Sequence, residues 1–361
     1  MKKEQISPDF LKQLETDGFA AQAILAEIRD EDPCGEAVRK IRLQTGFRYS
    51  KKEIRRALNG RERPPEITPK VTTFIDWLKN QRRRRWILEA DDKQQNEKLL
   101  AEDLMEFSEG KPTDFIVWNC LGFEWQQEPQ RGYPYCSITA DLNTAIVPHF
   151  LPKLQEFSEK LSGIGNPTII PMVPSSEATY ESMWNYLQDR QTRESIVNSA
   201  VAGLTERFRT AQFPKQTEVI PMRWDEYLRN RGIEKTAEDY SKEGEQLLLE
   251  STDLDRIRVE AVQNGIEYFG RYQIRVDREK IAPKRICYYG MYVGEGAAMA
   301  DIRESGRNVI VINFEEFRVS KMALRGARGN LSIVTPITDE EMAEYYKSEN
   351  EIQKSKKTLI I

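Results

Sequence analysis

Short apolar segments that alternate with amphipathic helical segments restrict the fold of this chain more than any other feature. From Asp114 onward, strand-length runs are separated by longer segments in which apolar residues recur at helical spacing, such as PHFLPKLQEFSEKLSGIG and RESIVNSAVAGLTERF. The strand-length runs are DFIVWNC, YPYCSI, NPTIIPMVP, TEVIPMRW, NVIVINFE and LSIVTPI. Strands that alternate with helices build a mostly parallel sheet covered on both faces, so the sequence predicts an α/β fold.

Ligands of such sheets bind outside the carboxyl ends of the strands. We therefore expect site residues directly after FIVWNC, YCSI, TIIPMV, VIPMRW and VIVIN. An aromatic cluster such as the one in SSEATYESMWNY is more often core than pocket, so both interpretations stay open there. The substrate-binding residues expected at these strand ends are Asn119, Asn143, Glu177, Tyr180 and Trp184.

Positive charge is concentrated in the N-terminal part of the chain, before the predicted α/β domain begins. The 361 residues carry a net charge of −4, yet between Arg39 and Trp86 sixteen lysines and arginines stand against four acids, a local balance of +12. We expect a helical N-terminal region over residues 1–110 that contains this basic block (39–86), an α/β domain over 111–340 and a charged tail over 341–361.

The basic block and a later stripe suggest binding to a polyanion. Four consecutive arginines repel one another unless an anion neutralises them, which favours contacts with RNA phosphates. For the basic block, a solvated helix face is the alternative. For the later stripe, which includes Lys321 and Arg325, the alternative is pairing with neighbouring acids. The residues expected to contact RNA are Arg55, Arg56, Arg82, Arg83, Arg84, Arg85, Lys321 and Arg325.

The scarcity of histidine and clustered cysteine excludes much familiar chemistry. His149 is the one histidine of the chain, and Cys34, Cys120, Cys136 and Cys287 form no C-x-x-C pair. Zinc and His-ligated iron or copper sites need such clusters, so we expect no metal. No cofactor is expected either. With no apolar run of about 20 residues, and with unpaired cysteines, we expect a cytoplasmic protein without a membrane span.

Two constellations remain that can carry acyl-transfer chemistry. The first combines Cys120 with Ser137 in PYCSITADLN, where a nucleophile at a strand end would lie near helix N-terminal amides. Buried small cysteines and a capping serine are the alternative. The pattern leaves open whether Ser137 or a cysteine is the nucleophile.

The second constellation is CYYGMYVGEGAAM. If this segment is helical, Tyr288, Tyr292, Glu295 and Met299 share one face, and two phenols with a carboxylate can position an ammonium group and move a proton. An aromatic face packed into the core is the competing interpretation. A phosphate-binding turn at G-E-G-x-x-M is a third, but no apolar strand precedes it.

The order of these parts resembles the cyclodipeptide synthases, which are similar to the Rossmann-like catalytic domain of class I aminoacyl-tRNA synthetases. The resemblance covers roughly Asp114 to Asn313. It implies that the chain takes two aminoacyl-tRNAs, passes one aminoacyl group to a serine and joins it to the second as a diketopiperazine, without ATP or metal. Basic helices would hold the tRNA.

Carried over residue by residue, the resemblance matches Ser137 to the nucleophile, Glu295 to the glutamate of the late helix and Tyr292 or Tyr288 to its tyrosine. The chain departs from the family in two places. A Tyr-x-x-x-Glu spacing would put the tyrosine at Met291, and CSITADLN lacks the usual serine context.

The leading hypothesis is therefore an enzyme of natural product biosynthesis, an aminoacyltransferase that forms peptide bonds from aminoacyl-tRNA. Two alternatives stay open. One is a small-molecule transferase that uses a nucleotide or S-adenosylmethionine at the strand ends, and the other is a non-catalytic RNA-binding protein.

Overall fold

The computed structural model describes residues 68–81, 90–126, 135–140, 146–180, 187–271, 274–314 and 317–334. The helices in these ranges are α1 (Pro69–Gln81), α2 (Ala90–Ser108), α3 (Ile146–Ser162), α4 (Ser175–Thr179), α5 (Arg190–Thr210), α6 (Trp224–Asn230), α7 (Ala237–Leu249), α8 (Leu254–Arg271), α9 (Arg278–Glu304) and α10 (Phe317–Gly326). The strands are β1 (Thr113–Trp118), β2 (Gly122–Gln126), β3 (Tyr135–Thr139), β4 (Thr168–Val173), β5 (Glu218–Val219), β6 (Met222–Arg223), β7 (Asn308–Ile312) and β8 (Ser332–Val334).

The main sheet is parallel. Its centre is β1, which lies between β4 and β7; β5 and β6 pair in succession with the other side of β4, and β8 pairs with β7. In chain order these positions read 3-2-1-4-5, the order of a Rossmann-like half sheet, and the predicted fold class is confirmed. The strand order reverses between β1 and β7, so the crevice for a ligand is expected at their carboxyl ends.

Both faces of the sheet are covered by helices, and side chains of β1 pack in the apolar cluster on each face. Side chains alternate along a strand, so Ile116 and Trp118 join the apolar cluster that contains α9, whereas Phe115 and Val117 join the cluster that contains α1, α2 and α3. All six residues of β1 are buried. Burial on both faces explains why this strand reads as a continuous apolar run rather than an alternating one.

A buried carboxylate fixes the amino end of the sheet. Asp114, at the start of β1, accepts hydrogen bonds from Arg231 (2.7 and 3.0 Å), Arg307 (2.9 Å) and the Tyr227 hydroxyl (2.9 Å). Burial and the neighbouring carboxylate of Asp114 raise the pKa of Tyr227 well above its usual value. This cluster is fully paired and lies at the end of β1 opposite to the ligand-binding end, so we assign it a structural role.

Glycines let α9 pack closely against two other helices. A methyl group on Gly294 would overlap the carbonyl oxygen of Tyr240 on α7, and one on Gly296 would overlap that of Ala323 on α10. The G-E-G-x-x-M segment thus lies inside a helix, where its glycines admit neighbouring backbones. A phosphate-binding turn at this position is not formed.

We predict that Gly294→Ala destabilises the protein by about 1–3 kcal/mol, because overpacking forces helix backbones apart. Gly203→Ala on α5 is the matched control, since a methyl group there would meet nothing within 4 Å. Alanine favours a helix over glycine by about 1 kcal/mol, so the control is expected to gain stability. Urea denaturation checks both variants, and equal effects of the two would contradict the packing argument.

The segment YPYCSI is a strand, but it does not join the parallel sheet. It forms β3, which pairs antiparallel with β2 so that Ser137 lies opposite Glu124. The expectation that a strand end of the main sheet follows YCSI is wrong. The physical reason is the short connection of eight residues (127–134) between β2 and β3, which suits an antiparallel hairpin, whereas a parallel neighbour needs a crossover of a dozen or more residues.

Helices α1 and α2 belong to the same compact unit as the sheet. Contacts divide the chain into residues 1–68 and 69–361, whereas the predicted N-terminal region extended over residues 1–110. Phe74 and Leu78 of α1 are buried in the apolar cluster on one face of the sheet. The remainder of the basic block, including Arg82–Arg85, and the charged tail lie outside the described residues.

Candidate active site

The carboxyl ends of β1 and β4 are joined by an amide side chain. The Nδ2 of Asn119 donates hydrogen bonds to the carbonyl oxygens of Val117 (3.1 Å) and Met172 (3.0 Å). Because Asn119 is buried, these bonds hold the two strand ends together and fix the position of the next residue, Cys120. The residue that was expected to bind substrate therefore shapes the edge of the site.

The tyrosine face of α9 meets Cys120 at this edge. The Tyr288 and Tyr292 hydroxyls are 3.1 Å apart, and the Tyr292 hydroxyl lies 3.6 Å from the Cys120 sulfur. The three groups, Cys120 Sγ, Tyr292 Oη and Tyr288 Oη, form what we call the thiol–phenol chain. The predicted helix and its shared face are confirmed, although the serine expected beside the tyrosines is replaced by a half-buried thiol.

Trp118 adds a hydrogen-bond donor beside this chain. Its ring packs edge-on against that of Tyr292, with centroids 5.9 Å apart. Within the described part of the chain, its buried indole nitrogen has no hydrogen-bond partner. Leaving a buried donor unpaired costs about 1–3 kcal/mol, so such a group is retained where an acceptor arrives with a ligand or where packing demands it.

A buried carboxylate lies one helical turn further along α9. The Ser176 hydroxyl donates a 2.9 Å hydrogen bond to Oε1 of Glu295, and both side chains are buried. Ser176 lies three residues after the end of β4, so the bond connects α9 to the chain just beyond a second strand end. Local sequence patterns around Ser176 could not indicate this bond, because its acidic partner is 119 positions away.

A second carboxylate near α9 is that of Glu245 on α7, which accepts hydrogen bonds from two side chains. The Tyr180 hydroxyl and the Cys287 thiol donate to Glu245, the latter at 2.9 Å. Burial, together with the Glu245 carboxylate, raises the pKa of the Cys287 thiol to about 12. Tyr180 was expected to bind substrate, but in the structure its hydroxyl donates a hydrogen bond to Glu245.

Cys287 is expected to resist alkylation. With its pKa raised to about 12, only about one molecule in ten thousand carries the thiolate at pH 8, and the thiolate is the reactive form. Labelling with iodoacetamide at pH 8 should modify Cys120 well before Cys287, as measured by mass spectrometry of the two peptides. Faster labelling of Cys287 would contradict its hydrogen bond to Glu245.

Ser137 lies on the β2–β3 hairpin. It alternates with Cys136 and Ile138, whose side chains are buried on the opposite side of the strand. Among the described residues, no hydrogen bond joins Ser137 to the tyrosine face of α9 or to Glu295. The structure therefore brings Tyr288 and Tyr292 together with Cys120, and brings Glu295 to Ser176.

The cationic stripe predicted on α10 is paired with acids. Arg325 lies 2.6 Å from Asp253, and Lys321 lies 4.0 Å from Glu260. Hydrogen bonds from Arg325, and then from Ser251, lower the pKa of Asp253. The other RNA-contacting residues of the prediction, together with Asn143, Trp184 and the side chain of Glu177, lie outside the described residues.

The described ranges contain no helix long and apolar enough to span a membrane and no group of three or more His, Cys, Asp or Glu side chains that could hold a metal ion. No protein-family model, curated protein or solved structure matches the chain.

Proposed function

We propose that the protein is an acyltransferase that takes aminoacyl groups from aminoacyl-tRNA, holds the first on Cys120 and releases a cyclic dipeptide. The observation that carries the proposal is the 3.6 Å contact between the Cys120 sulfur and the Tyr292 hydroxyl at the carboxyl end of the central strand. In a 3-2-1-4-5 sheet this is the place where ligands bind. A thiol beside a proton-carrying group is the arrangement of an activated nucleophile.

The first step forms a thioester. The Cys120 sulfur attacks the ester carbonyl of the first aminoacyl-tRNA, a C–S bond forms, and the C–O bond to the ribose breaks. The thiol proton passes to the departing ribose oxygen, with Tyr292 as the carrier. The indole N–H of Trp118 is a donor of the kind that stabilises the oxyanion of such a step.

The second step forms the peptide bond. The amine of the second aminoacyl-tRNA attacks the thioester, a C–N bond forms, and the C–S bond breaks to regenerate the thiol, which takes the amine proton. The free amine of the first amino acid then attacks the remaining ester, closes the ring and releases the second tRNA. Neither step needs an oxidant, a reductant or ATP, since both esters are already activated.

Glu295 provides the charge that orients the amines. Its carboxylate is buried and is held by Ser176, so its position is fixed before a substrate arrives. A carboxylate attracts an ammonium group, and the attraction between the two charges is stronger in the interior than in water. The basic block of +12 supplies the charge for the tRNA phosphates.

Incubation of the full chain with charged tRNA tests the proposal. We expect diketopiperazines in the products by mass spectrometry, and none with uncharged tRNA. Stabilisation by S-adenosylmethionine or a nucleotide in a thermal shift assay, with no loss of amino acid from the tRNA, would replace the proposal by the small-molecule transferase. Binding of tRNA without any deacylation would leave an RNA-binding protein.

Tyr292→Phe is expected to lower kcat by about 10²-fold, because it keeps the ring against Trp118 and removes the proton carrier. Tyr240→Phe is the matched control. It also removes a buried hydroxyl, the one bonded to Asp301, but it lies away from the thiol–phenol chain. Single-turnover rates with charged tRNA measure both variants, and equal losses in the two would refute a specific role for Tyr292.

A further inference from the structure

A buried arginine lies at the far end of the thiol–phenol chain. The guanidinium carbon of Arg285 is 4.5 Å from the centroid of the Tyr288 ring. The rings of Tyr268 and Tyr289 are 5.5 and 5.7 Å from the same atom, so three tyrosines surround the cation. Arg285 is 3% exposed, which places its positive charge in the interior beside the site.

We infer that Arg285 is a positioning residue whose charge, seated on the ring of Tyr288, favours the anionic form of the thiol–phenol chain and so makes the Cys120 thiolate available near neutral pH. This rests on the proposed function, since it concerns the same nucleophile. A cation over a tyrosine face is attracted by the ring, and the attraction grows when negative charge enters the hydroxyl side. Tyr288 passes that preference to Tyr292, and Tyr292 to Cys120, through the contacts of 3.1 and 3.6 Å.

Two carboxylates near the thiol–phenol chain act against Arg285, and both accept hydrogen bonds. Glu295 accepts from Ser176, and Glu245 accepts from Tyr180 and Cys287. A carboxylate that is held by donors repels a nearby thiolate less than a bare one does. Between Ile281 and Met299, the charged and titratable groups of α9 are Lys284, Arg285, Cys287, Tyr288, Tyr289, Tyr292 and Glu295. Tyr268 of α8 contacts Arg285, Glu245 of α7 contacts Cys287, and Tyr180 after α4 contacts Glu245. Lys242 and Glu243 of α7 and Glu267 of α8 are exposed.

Coulomb's law sets the size of the effect. Arg285 and Tyr292 are two helical turns apart, about 10 Å of helix rise. At that distance and an effective dielectric constant of about 20, one unit charge displaces the titration of a group at Tyr292 by about one pH unit, which sets the order of magnitude for Cys120 in contact with it. Loss of the positive charge disfavours the thiolate, so the midpoint must move upward.

The test is the pH dependence of Cys120 alkylation by iodoacetamide, followed by mass spectrometry of the Cys120 peptide in the full chain. Arg285→Met should raise the midpoint by about one pH unit, whereas Arg285→Lys, which keeps the charge, should leave it near the wild-type value. Lys235→Met is the matched control, because it removes a cation 5.2 Å from the ring of Tyr240, elsewhere on the surface. It should not change the midpoint.

An unchanged midpoint in folded Arg285→Met, or an equal rise in Arg285→Lys, would overturn the inference. If Arg285→Met does not fold, Tyr288→Phe provides the measurement, because it keeps the ring under the guanidinium and removes the hydroxyl bonded to Tyr292. That variant should also raise the midpoint, and no rise would refute the chain. Since alkylation needs no substrate, these outcomes are independent of whether charged tRNA gives a product.

Discussion

Cys120→Ala should abolish the proposed cyclic-dipeptide formation, with a loss of at least about 10³-fold, because removing the proposed nucleophile ends the covalent route and leaves only substrate binding. The thiol is the reactive group that the structure brings to the tyrosines of α9, at 3.6 Å from Tyr292. Ser137→Ala should keep most of the activity, since Ser137 lies on the β2–β3 hairpin. Product formation from charged tRNA measures both.

Cys136→Ala is the matched control for the loss of a thiol. Cys136 is 1% exposed and packs in the same apolar cluster as Trp118, so its replacement tests whether the cluster tolerates a missing sulfur. We expect an active enzyme of reduced stability. Activity lost in Ser137→Ala and retained in Cys120→Ala would restore the serine assignment that the family resemblance implies.

The largest loss of stability is expected from Arg303→Met. The two terminal nitrogens of Arg303, near the end of α9, donate to Asp103 of α2 at 2.7 and 2.8 Å, and Ser332 of β8 adds a 2.5 Å bond. The Asp103 side chain is fully buried, so removing the arginine leaves a buried carboxylate without its charged partner. Breaking such a pair costs about 3–5 kcal/mol, which urea denaturation measures.

The control for this variant is an exposed pair on the same domain. Arg325→Met removes one of the two arginine partners of Asp253, the other being Arg256, and the side chains of Arg325 and Asp253 are about a third exposed. An exposed ion pair contributes about 0–1 kcal/mol, so the change should be small. A loss in Arg303→Met no larger than that in Arg325→Met would show that Asp103 relaxes to another partner.

The elements with a strong period were predictable from the sequence. The alternation of apolar runs and amphipathic helices predicted the parallel sheet, since each buried strand can be identified from its own short apolar run. The spacing of Tyr288, Tyr292 and Glu295 gave the shared face of α9, because a helix places residues four and seven apart on one side. Both features depend on neighbours within a few turns.

The partners of that face could not be predicted. Cys120 is 172 positions from Tyr292, and Ser176 is 119 from Glu295, so the contacts depend on the order of strands in the sheet. The prediction that YCSI ends a strand of the main sheet was wrong for a related reason. Its apolar content suits a strand, but whether a strand pairs parallel or turns back as a hairpin depends on the connection before it.

The most direct test of the acyl-enzyme proposal is the mass of the protein after incubation with charged tRNA. We expect one aminoacyl group on the peptide that contains Cys120, absent with uncharged tRNA and removed by neutral hydroxylamine, which cleaves thioesters. Cys120→Ala should carry no such group. An adduct on the Ser137 peptide, or cyclic dipeptide formed with no adduct on Cys120, would contradict the account.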